Sequence, residues 1–585
     1  MDNLVFEESI SSEVSQSEFI SKKWLYVNDI NNGNYSSQII VDTTPLANSG
    51  GYVNWSEGYL AMPLVVAVEG PAGSNIGLDN NVSASHCWAF KSGFWQMINS
   101  MSVEFNNQNI VQQTPFLNVF RSFKALTSYS LDDLQQGFTT GFFPDSAGSW
   151  EFTTTADTAS GQGLSNNRDA PFIPISTPAT NVNGITTLYT SSYAQNANPS
   201  NTGIGSNYSY NQGVAKRGEW YGYQPAMTSA TIKGQDVLMG SSACKSVFRS
   251  IKLTQAEVGS ADKAVWSVVA KLRLKDLAEY FEKCPLLKGA TMRLLINTNQ
   301  TTISFAKTTQ SAPVGTGVIT ASTFTGASTN VVSNGLTNPI MLVSGDLSQG
   351  SATLPTGAYT LRLSIYRDAV LALTPVNIPV RLYAPVYKMN PIAEQRYLSL
   401  APTKRVEYCD IFQYQFTGIG AGDSFNFLVS NGIPNIRSVL VVPFLSASGN
   451  ATNFNTLLSP FSTSGATPDP VPISNFNILI SGVNLFLNNQ LYDFEVFNQE
   501  LKSSNQLNGS LTTGLSSGLI SEDDFTRGMR YYYGNASRVL PSEEGVSRSV
   551  QILGKNECGR QINLMVFVEF MKSMTIDIAT GARID

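Results

Sequence analysis

The sequence predicts an all-β protein that contains two similar domains. Three observations support this prediction. Apolar and polar residues alternate along many short segments, most of these segments end at clusters of Gly, Asn, Ser or Pro, and a pair of segments recurs further along the chain. With 585 residues, the chain is also long enough to form more than one domain, each with its own core.

Period-two alternation identifies individual strands. Val103 and Phe105 alternate with polar neighbours, and Leu361, Leu363 and Ile365 do the same. In a longer stretch, five apolar or aromatic residues all lie at even-numbered positions: Val406, Tyr408, Phe412, Tyr414 and Phe416. Because successive side chains of a strand point to opposite faces, each stretch predicts a strand with one buried face.

Two segments have helical rather than strand spacing. Thr114 followed by Pro115 predicts an N-cap and a first helical turn, and apolar residues then recur at helical spacing over 116–123. A second helix is predicted over 275–283, ending before Pro285. Both lie between predicted strands, so we expect them to be insertions in a β framework.

An internal repeat divides the predicted strands between two domains. Segment 98–108 aligns with 480–490, and segment 59–64 aligns with 439–444 at nearly the same offset. The first pair ends in identical residues, Asn106, Asn107 and Gln108 in one copy and Asn488, Asn489 and Gln490 in the other. Each copy is followed by a short Phe-rich segment with helical spacing. Two collinear matches predict two domains of one topology; chance similarity between β-strands is the alternative explanation.

Each domain would have about eight strands and a short helix, which favours two tandem eight-stranded jelly rolls with short helical insertions and long loops. We expect an N-terminal arm over 1–20, a first jelly roll over 21–390 and a second over 391–585. The first would carry a large loop insertion at about 137–235, because 137–212 is dense in Gly, Ser, Thr and Asn. Loops of this length inside a domain usually serve a function or an interface.

Composition excludes several classes of protein. Only 14% of residues are charged, and 48 Asn outnumber the 37 Lys and Arg, so the surface must rely on amides and hydroxyls. The 31 Phe, 23 Tyr and 7 Trp argue against a disordered chain. The best apolar run, 59–68, is too short to span a bilayer and contains Pro63, so no transmembrane segment is predicted. The first residues also lack the pattern of a signal peptide, which favours synthesis in the cytosol.

The net charge of -6 argues against sequence-specific binding of nucleic acid and against condensation of a genome. One basic and aromatic cluster remains to be explained, formed by Arg527, Arg530, Tyr531, Tyr532, Tyr533 and Arg538. Interleaved Arg and aromatic residues can hold single-stranded nucleic acid. We favour a strand at a subunit interface, where Tyr and Arg are enriched.

Candidate catalytic groups are few. His86 is the single histidine, and its neighbour Cys87 would point to the opposite face of a strand, so the two make a poor catalytic pair. The five cysteines form no Cys-x-x-Cys pair and are interpreted as free thiols. Three carboxylate pairs could bind a cation, but solvated loops or subunit contacts are favoured: Asp132 and Asp133, Asp523 and Asp524, and Glu543 and Glu544. We therefore predict no catalytic residue, no metal site and no cofactor, and thus a protein that is not an enzyme.

Several motifs carry a family resemblance. The most specific is KLRLKDLAEYFEKCPLLKGATMRLLIN at 271–297, and the others, in chain order, lie at 211–217, 381–391, 548–556, 562–570 and 576–581. In this order they resemble double jelly-roll major capsid proteins of the adenovirus-like lineage, particularly those of polinton-like viruses and virophages. The resemblance is spread over most of the chain, but 137–212 matches none of its motifs.

The resemblance implies a function. Members of this family form homotrimers whose six jelly rolls make a pseudo-hexagonal capsomer, and capsomers tile an icosahedral shell. The expected partners are therefore copies of the chain itself, neighbouring capsomers, and penton and minor capsid proteins, and the expected location is the virion. By the same analogy, 137–212 would be a tower or intersubunit loop, and the acidic segment 7–18 a terminal arm.

Two other functions stay open at the level of sequence. A trimeric β-rich fibre or adhesin that recognises a receptor or glycan would use similar polar loops with aromatic residues. An all-β polysaccharide hydrolase is a weaker alternative, because neither regular β-helix rungs nor a convincing acid pair is present.

Overall fold

The computed structural model describes most of the predicted β framework. The described residues are 18–31, 38–73, 86–90, 93–130, 133–134, 141–144, 218–220, 229–232, 235–238, 251–252, 258–299, 301–307, 324–326, 339–344, 357–365, 379–400, 402–445, 471–486, 492–504, 518–527, 529–537, 545–559, 561–578 and 580–584. Most of the predicted loop insertion at about 137–235 therefore lies outside them.

The N-terminal two thirds of the chain contains eighteen strands in its described part. They are β1 (Phe19–Asn28), β2 (Gln38–Asp42), β3 (Tyr52–Val53), β4 (Tyr59–Glu69), β5 (His86–Phe90), β6 (Ile98–Phe105), β7 (Gln108–Val111), β8 (Gly218–Trp220), β9 (Ser229–Ile232), β10 (Gln235–Leu238), β11 (Ile251–Lys252), β12 (Lys263–Arg273), β13 (Met292–Thr298), β14 (Thr301–Lys307), β15 (Phe324–Gly326), β16 (Ile340–Ser344), β17 (Gly357–Ile365) and β18 (Arg381–Met389). Eight of them form a sandwich of two antiparallel sheets, which we call the first sandwich. Its sheets have the orders β1-β18-β4-β12 and β2-β13-β6-β7. β17 also pairs with β4 and extends the first of these sheets through β14 and β15.

The remaining described strands form the second sandwich. They are β19 (Thr403–Ile419), β20 (Ser424–Ile433), β21 (Ile436–Leu445), β22 (Ile473–Ile480), β23 (Val483–Asn484), β24 (Tyr532–Asn535), β25 (Arg548–Asn556) and β26 (Ile562–Asp577). Their sheets have the orders β19-β26-β21-β24 and β20-β25-β22-β23. When the eight strands of either sandwich are numbered along the chain, both sandwiches have the orders 1-8-3-6 and 2-7-4-5. This is the jelly-roll arrangement, so the predicted all-β fold of two tandem jelly rolls is confirmed.

The helices are short, as predicted. They are α1 (Thr44–Ala47), α2 (Leu117–Ser128), α3 (Leu274–Leu277), α4 (Glu279–Lys283), α5 (Pro391–Leu400), α6 (Phe494–Ser503) and α7 (Glu522–Arg527). The Phe-rich segment at 494–501 forms α6 as expected. None of the helices in this described set has the length and apolar character needed to cross a bilayer.

Two predicted helices differ in detail. Thr114 is not an N-cap, because its hydroxyl donates to the carbonyl of Ile411 at 2.6 Å. α2 begins three residues later, after Phe116, which has a left-handed backbone with a φ of 56°. The helix predicted over 275–283 is two helices, α3 and α4, separated by Ala278 in an extended conformation.

One pair of repeated segments occupies equivalent strands, but its predicted register is wrong. Segments 59–64 and 439–444 lie in β4 and β21, the third strand of each sandwich. Val439 lies opposite Gly534, which faces Ile478 of the other sheet, so Val439 points inward and Leu440 outward. In β4, Leu60 belongs to the main core, whereas Val65 and Ala67 form a separate outer cluster. The predicted alignment therefore superposes Leu60, which points into the core, on Leu440, which points outward. An alignment that is wrong by an odd number of residues always exchanges the two faces of a strand in this way.

The other pair of repeated segments, 98–108 and 480–490, contains a hairpin turn in each copy, and its predicted register is also wrong. Asn106 and Asn107 are turn residues between β6 and β7, with φ of 47° and 66°. Their counterparts between β22 and β23 are Ser481 and Gly482, with φ of 51° and 78°. Asn and Gly suit such turns because they tolerate positive φ. Gln108 opens β7, whereas Asn488, Asn489 and Gln490 lie outside the described residues.

Candidate functional site

The two sandwiches are joined by a wide contact that we call the seam. Helices α2 and α4 and strand β7 of the first sandwich cover the outer face of sheet β19-β26-β21-β24 of the second. The ring of Phe120 lies 5.5 Å from that of Phe567. The ring of Phe123 lies 5.0 Å from Tyr531 and 5.7 Å from Tyr533. Phe123 and Phe567 are fully buried, so the two sandwiches share one continuous core.

Buried charges pair across the seam. Lys124 Nζ on α2 lies 2.7 Å from Glu569 Oε1 on β26, and the Ser438 hydroxyl donates to the other oxygen of the Glu569 carboxylate at 2.6 Å. On α4, Glu279 lies 3.7 Å from Arg437 Nη1 and accepts a hydrogen bond from the backbone N–H of Cys409 at 3.2 Å. Because removing one partner would strand a buried charge, this network favours a fixed docking of the two sandwiches.

Burial and charge act against each other at Glu279. Burial alone would raise the pKa of its carboxyl, but Lys283, Lys124 and Arg437 together outweigh burial and lower that pKa below its ordinary value. The carboxylate is therefore ionised at neutral pH and serves as the negative centre of the network.

The same cluster has the residue types of a metal site. One ligand atom each of Glu279, Cys409 and Glu569 lie within 4.8 Å of one another. Zinc would require the Cys409 thiolate, but burial raises the pKa of this thiol to about 12. Lys124 and Arg437 also already neutralise the carboxylates. The arrangement fits an ion-pair network that joins the sandwiches better than a cation site.

Hydrogen bonds to β7 extend the seam at its edge. The Asp410 carboxylate accepts from Lys572 Nζ at 2.6 Å and from the backbone N–H of Gln112 at 3.1 Å. The Tyr408 hydroxyl donates to the carbonyl of Ile110 at 2.7 Å. Burial outweighs the neighbouring ammonium group and raises the pKa of Asp410. Side chains of the second sandwich thus satisfy backbone groups at the end of the first.

The predicted subunit-interface cluster lies elsewhere than expected. Tyr531, Tyr532 and Tyr533 are at most 1% exposed within the single chain, so their rings belong to its own core and the prediction of an intersubunit strand is wrong for them. Arg530 is half-buried, with its guanidinium 5.6 Å from the Phe525 ring. Arg527 ends α7, and Arg538 lies outside the described residues.

Two of the carboxylate pairs serve local structure. Asp133 accepts from both the N–H and the hydroxyl of Ser130, and Asp524 makes the same two bonds with Ser521. Ser-x-x-Asp pairs of this kind cap the start of a helix. Asp132, Glu543 and Glu544 lie outside the described residues, as does the side chain of Asp523. His86 and Cys87 both lie in β5.

A second surface stands out on the first sandwich. We call it the aromatic face, and it consists of Trp24, Tyr26, Tyr59, Val269 and Tyr383 on the outer side of sheet β1-β18-β4-β12. Tyr59 stacks on Tyr383 at 5.1 Å, Trp24 lies 5.6 Å from Tyr59, and Tyr26 lies 5.7 Å from Tyr383. Trp24, Tyr26 and Val269 are 47%, 53% and 52% exposed. Large exposed apolar patches commonly mark interaction sites.

Three insertions leave the first sandwich at one end. They follow β4, β7 and β13, and the backbone N–H of Gly70 after β4 donates to the carbonyl of Asp262 before β12 at 2.9 Å. A strand from each insertion joins one small sheet in the order β16-β5-β8. The first sandwich therefore has one elaborated end beyond its sheets.

Comparison with known proteins gave matches among solved structures alone. No family model matches the chain, and no curated protein does. A chain of the Sputnik virophage, determined by cryo-EM, is 10% identical, with 100% of this chain and 91% of that chain covered and a TM-score of 0.48. The Faustovirus major capsid protein is 10% identical, with 98% and 93% covered and a TM-score of 0.42. A chain of the PBCV-1 virus capsid is 9% identical, with 99% and 100% covered and a TM-score of 0.37. Each of these likenesses covers at least 98% of this chain at 9–10% sequence identity.

Proposed function

We propose that this chain is the major capsid protein of a virus, a structural protein that forms homotrimers and builds an icosahedral shell. Each trimer would present six jelly rolls as a pseudo-hexameric capsomer, which would pack against neighbouring capsomers and against penton and minor capsid proteins. The protein would be made inside the host cell and would reside in the virion.

The observation that carries the proposal is the pairing of two jelly rolls of identical strand order in one chain. A buried seam with shared aromatic rings and paired charges fixes them together. Three such chains would supply six jelly rolls of one topology, which is the number that a pseudo-hexameric capsomer requires. Assembly of this kind works by burying large complementary surfaces between copies.

Other features support a structural role. The aromatic face offers an apolar surface for a neighbour, and the elaborated end of the first sandwich could form a projection from a shell. The low charge, 14% of residues, lowers the cost of desolvation when copies bury their surfaces together. A net charge of -6 suits a shell protein that does not itself condense the genome.

The proposal is tested by imaging the purified full chain by electron microscopy while its concentration is raised. We expect hexagon-shaped particles that associate into flat arrays or closed shells. The main alternative, a receptor-binding or glycan-binding fibre or adhesin, is tested with the same sample on a glycan array. A chain that binds a defined glycan and never forms hexagonal particles would refute the capsid role.

A further inference from the structure

We infer that a cavity beside helix α5 binds a small monocarboxylate with an apolar tail, of the class of fatty acids. α5 connects the first sandwich to the second, and residues from β1, β18, α5 and β19 line the cavity. Its lining residues differ from those of the ion-pair network in the seam and from those of the aromatic face. The inference therefore adds a ligand site to the proposed structural role.

The cavity, which we call the linker cavity, has a volume of about 500 Å³. Small-molecule sites usually have volumes of about 300–1,000 Å³ and are lined mainly by apolar and aromatic side chains, with a few polar groups that fix orientation. The apolar part of this lining comprises Phe19, Pro285, Leu286, Tyr387 and Tyr397. Size and lining thus both fit a small ligand that is largely apolar.

Packing and hydrogen bonding hold the apolar lining in place. The ring of Phe19 lies 4.9 Å from that of Tyr387. The Tyr397 hydroxyl donates to the carbonyl of Leu286 at 3.0 Å. Phe19, Leu286 and Tyr397 also pack against a small buried cluster that contains Ile578, just after β26. The cavity is therefore formed before a ligand enters, which lowers the entropy cost of binding.

The polar group of the lining that calls for a ligand is Lys404. It is half-buried near the start of β19, and its Nζ lies 4.1 Å from the centre of the Tyr397 ring. Burial lowers the pKa of Lys404 below its ordinary value. In the part of the chain that the structure describes, no carboxylate pairs with this ammonium group, so its charge is desolvated without compensation. An anion in the cavity would supply the missing negative charge.

The carboxylate that also lines the cavity, that of Glu57, is already engaged. It accepts hydrogen bonds from Lys22 Nζ, from the Tyr387 hydroxyl at 2.7 Å and from the side-chain amide of Asn54 at 3.0 Å. Its negative charge also disfavours a ligand with more than one negative charge. A carboxylate suits the single ammonium of Lys404 better than phosphate does, because phosphate sites usually combine several cations or backbone N–H groups.

The apolar lining determines the rest of the ligand. An aliphatic chain attached to a carboxylate at Lys404 would lie against Leu286 and the rings of Phe19 and Tyr397. Removal of that chain from water would supply much of the binding free energy. Because elements of both sandwiches line the cavity, the bound ligand would also stabilise the folded chain.

Isothermal titration calorimetry of the full chain tests the inference with octanoate as the probe. We expect one octanoate per chain, with a dissociation constant at least about tenfold lower than those of acetate, which lacks the tail, and of 1-octanol, which lacks the charge. Inorganic phosphate should also bind more weakly than octanoate. Equal affinity for octanoate and 1-octanol, or for octanoate and acetate, would overturn the inference.

A substitution tests the role of the charge. Lys404→Met removes the ammonium group and keeps a chain of similar length, so it should weaken octanoate binding at least about tenfold while circular dichroism shows the wild-type fold. The matched control is Lys502→Met, which removes an exposed lysine of α6 outside the cavity and should leave octanoate binding unchanged. Octanoate should raise the Tm of the wild type and of this control, and not that of Lys404→Met. Wild-type affinity in Lys404→Met would mean adventitious binding only and would contradict the inferred site.

Discussion

At the scale of single residues, Glu569 and Lys124 matter most to the seam, because they bring a buried negative and a buried positive charge together from different sandwiches. Glu569 is 4% exposed and Lys124 15%, and they lie 2.7 Å apart. Neither residue stands out in the sequence. They are far apart along the chain, and only the docking of α2 on β26 brings them together.

Lys124→Met should destabilise the protein by about 3 kcal/mol, because it leaves the Glu569 carboxylate buried without its main partner. Urea unfolding followed by tryptophan fluorescence measures the change. The double variant Lys124→Met, Glu569→Leu should regain much of the loss, since it removes both charges. Equal stability of the wild type and the single variant would show that the pair contributes nothing.

Glu279 predicts a dependence on pH. Its carboxyl pKa is lowered in the folded protein from an ordinary 4.5, so its contribution is complete above that value and is lost as pH falls through the lower folded pKa. Glu279→Gln should therefore cost stability at pH 7, and the difference from the wild type should shrink in acid. A difference that stays constant from pH 7 to about 3 would contradict the role of the charge.

Residue-level predictions from the sequence were limited by register. Asn106 and Asn107 were predicted as part of a repeated strand segment, whereas they form the hairpin turn between β6 and β7, where Asn tolerates positive φ. The cluster around Tyr531–Tyr533 was misassigned, since alternation in sequence does not reveal that both faces of a strand are covered. α2 supplies that cover from the other sandwich.

At the scale of elements, helix α2 packs against both jelly rolls at once. One side packs on its own sandwich, and Phe120 and Phe123 pack on the other. The helix could be predicted from its apolar spacing. Its start could not, because the left-handed Phe116 and the bond from Thr114 to Ile411 depend on the second sandwich.

Phe123→Ala should destabilise the protein by about 3–5 kcal/mol, because it opens a cavity between α2 and the tyrosines of the second sandwich. Differential scanning calorimetry is the measurement. Phe123→Leu, which keeps most of the volume, is the matched control and should cost under about 1.5 kcal/mol. An alanine variant as stable as the leucine variant would argue against a packed seam.

The strands themselves were largely predictable, and their register was not. β6, β17 and β19 follow their alternating patterns. β21 and β26 are buried on both faces over most of their length. Their sequences are therefore nearly continuous apolar runs, in which apolar and polar residues do not alternate. An alignment of β4 with β21 therefore lacks the signal that would set which residues point inward.

At the scale of the whole molecule, two jelly rolls of one topology are fixed side by side, with an uncovered aromatic face on the first. The low charge and the single histidine suit the proposed shell protein, whose surfaces would be buried against copies of itself. The sequence motifs predicted this architecture; the charge pair and the aromatic contacts that join the two jelly rolls became visible only in the fold.

The most direct test of this account is the native mass of the purified chain, measured by light scattering across a range of concentrations. Three copies of a 63.3 kDa chain give a particle of about 190 kDa. We expect this trimer to be the smallest stable species at micromolar concentration. A single species of 63.3 kDa at every concentration would contradict it.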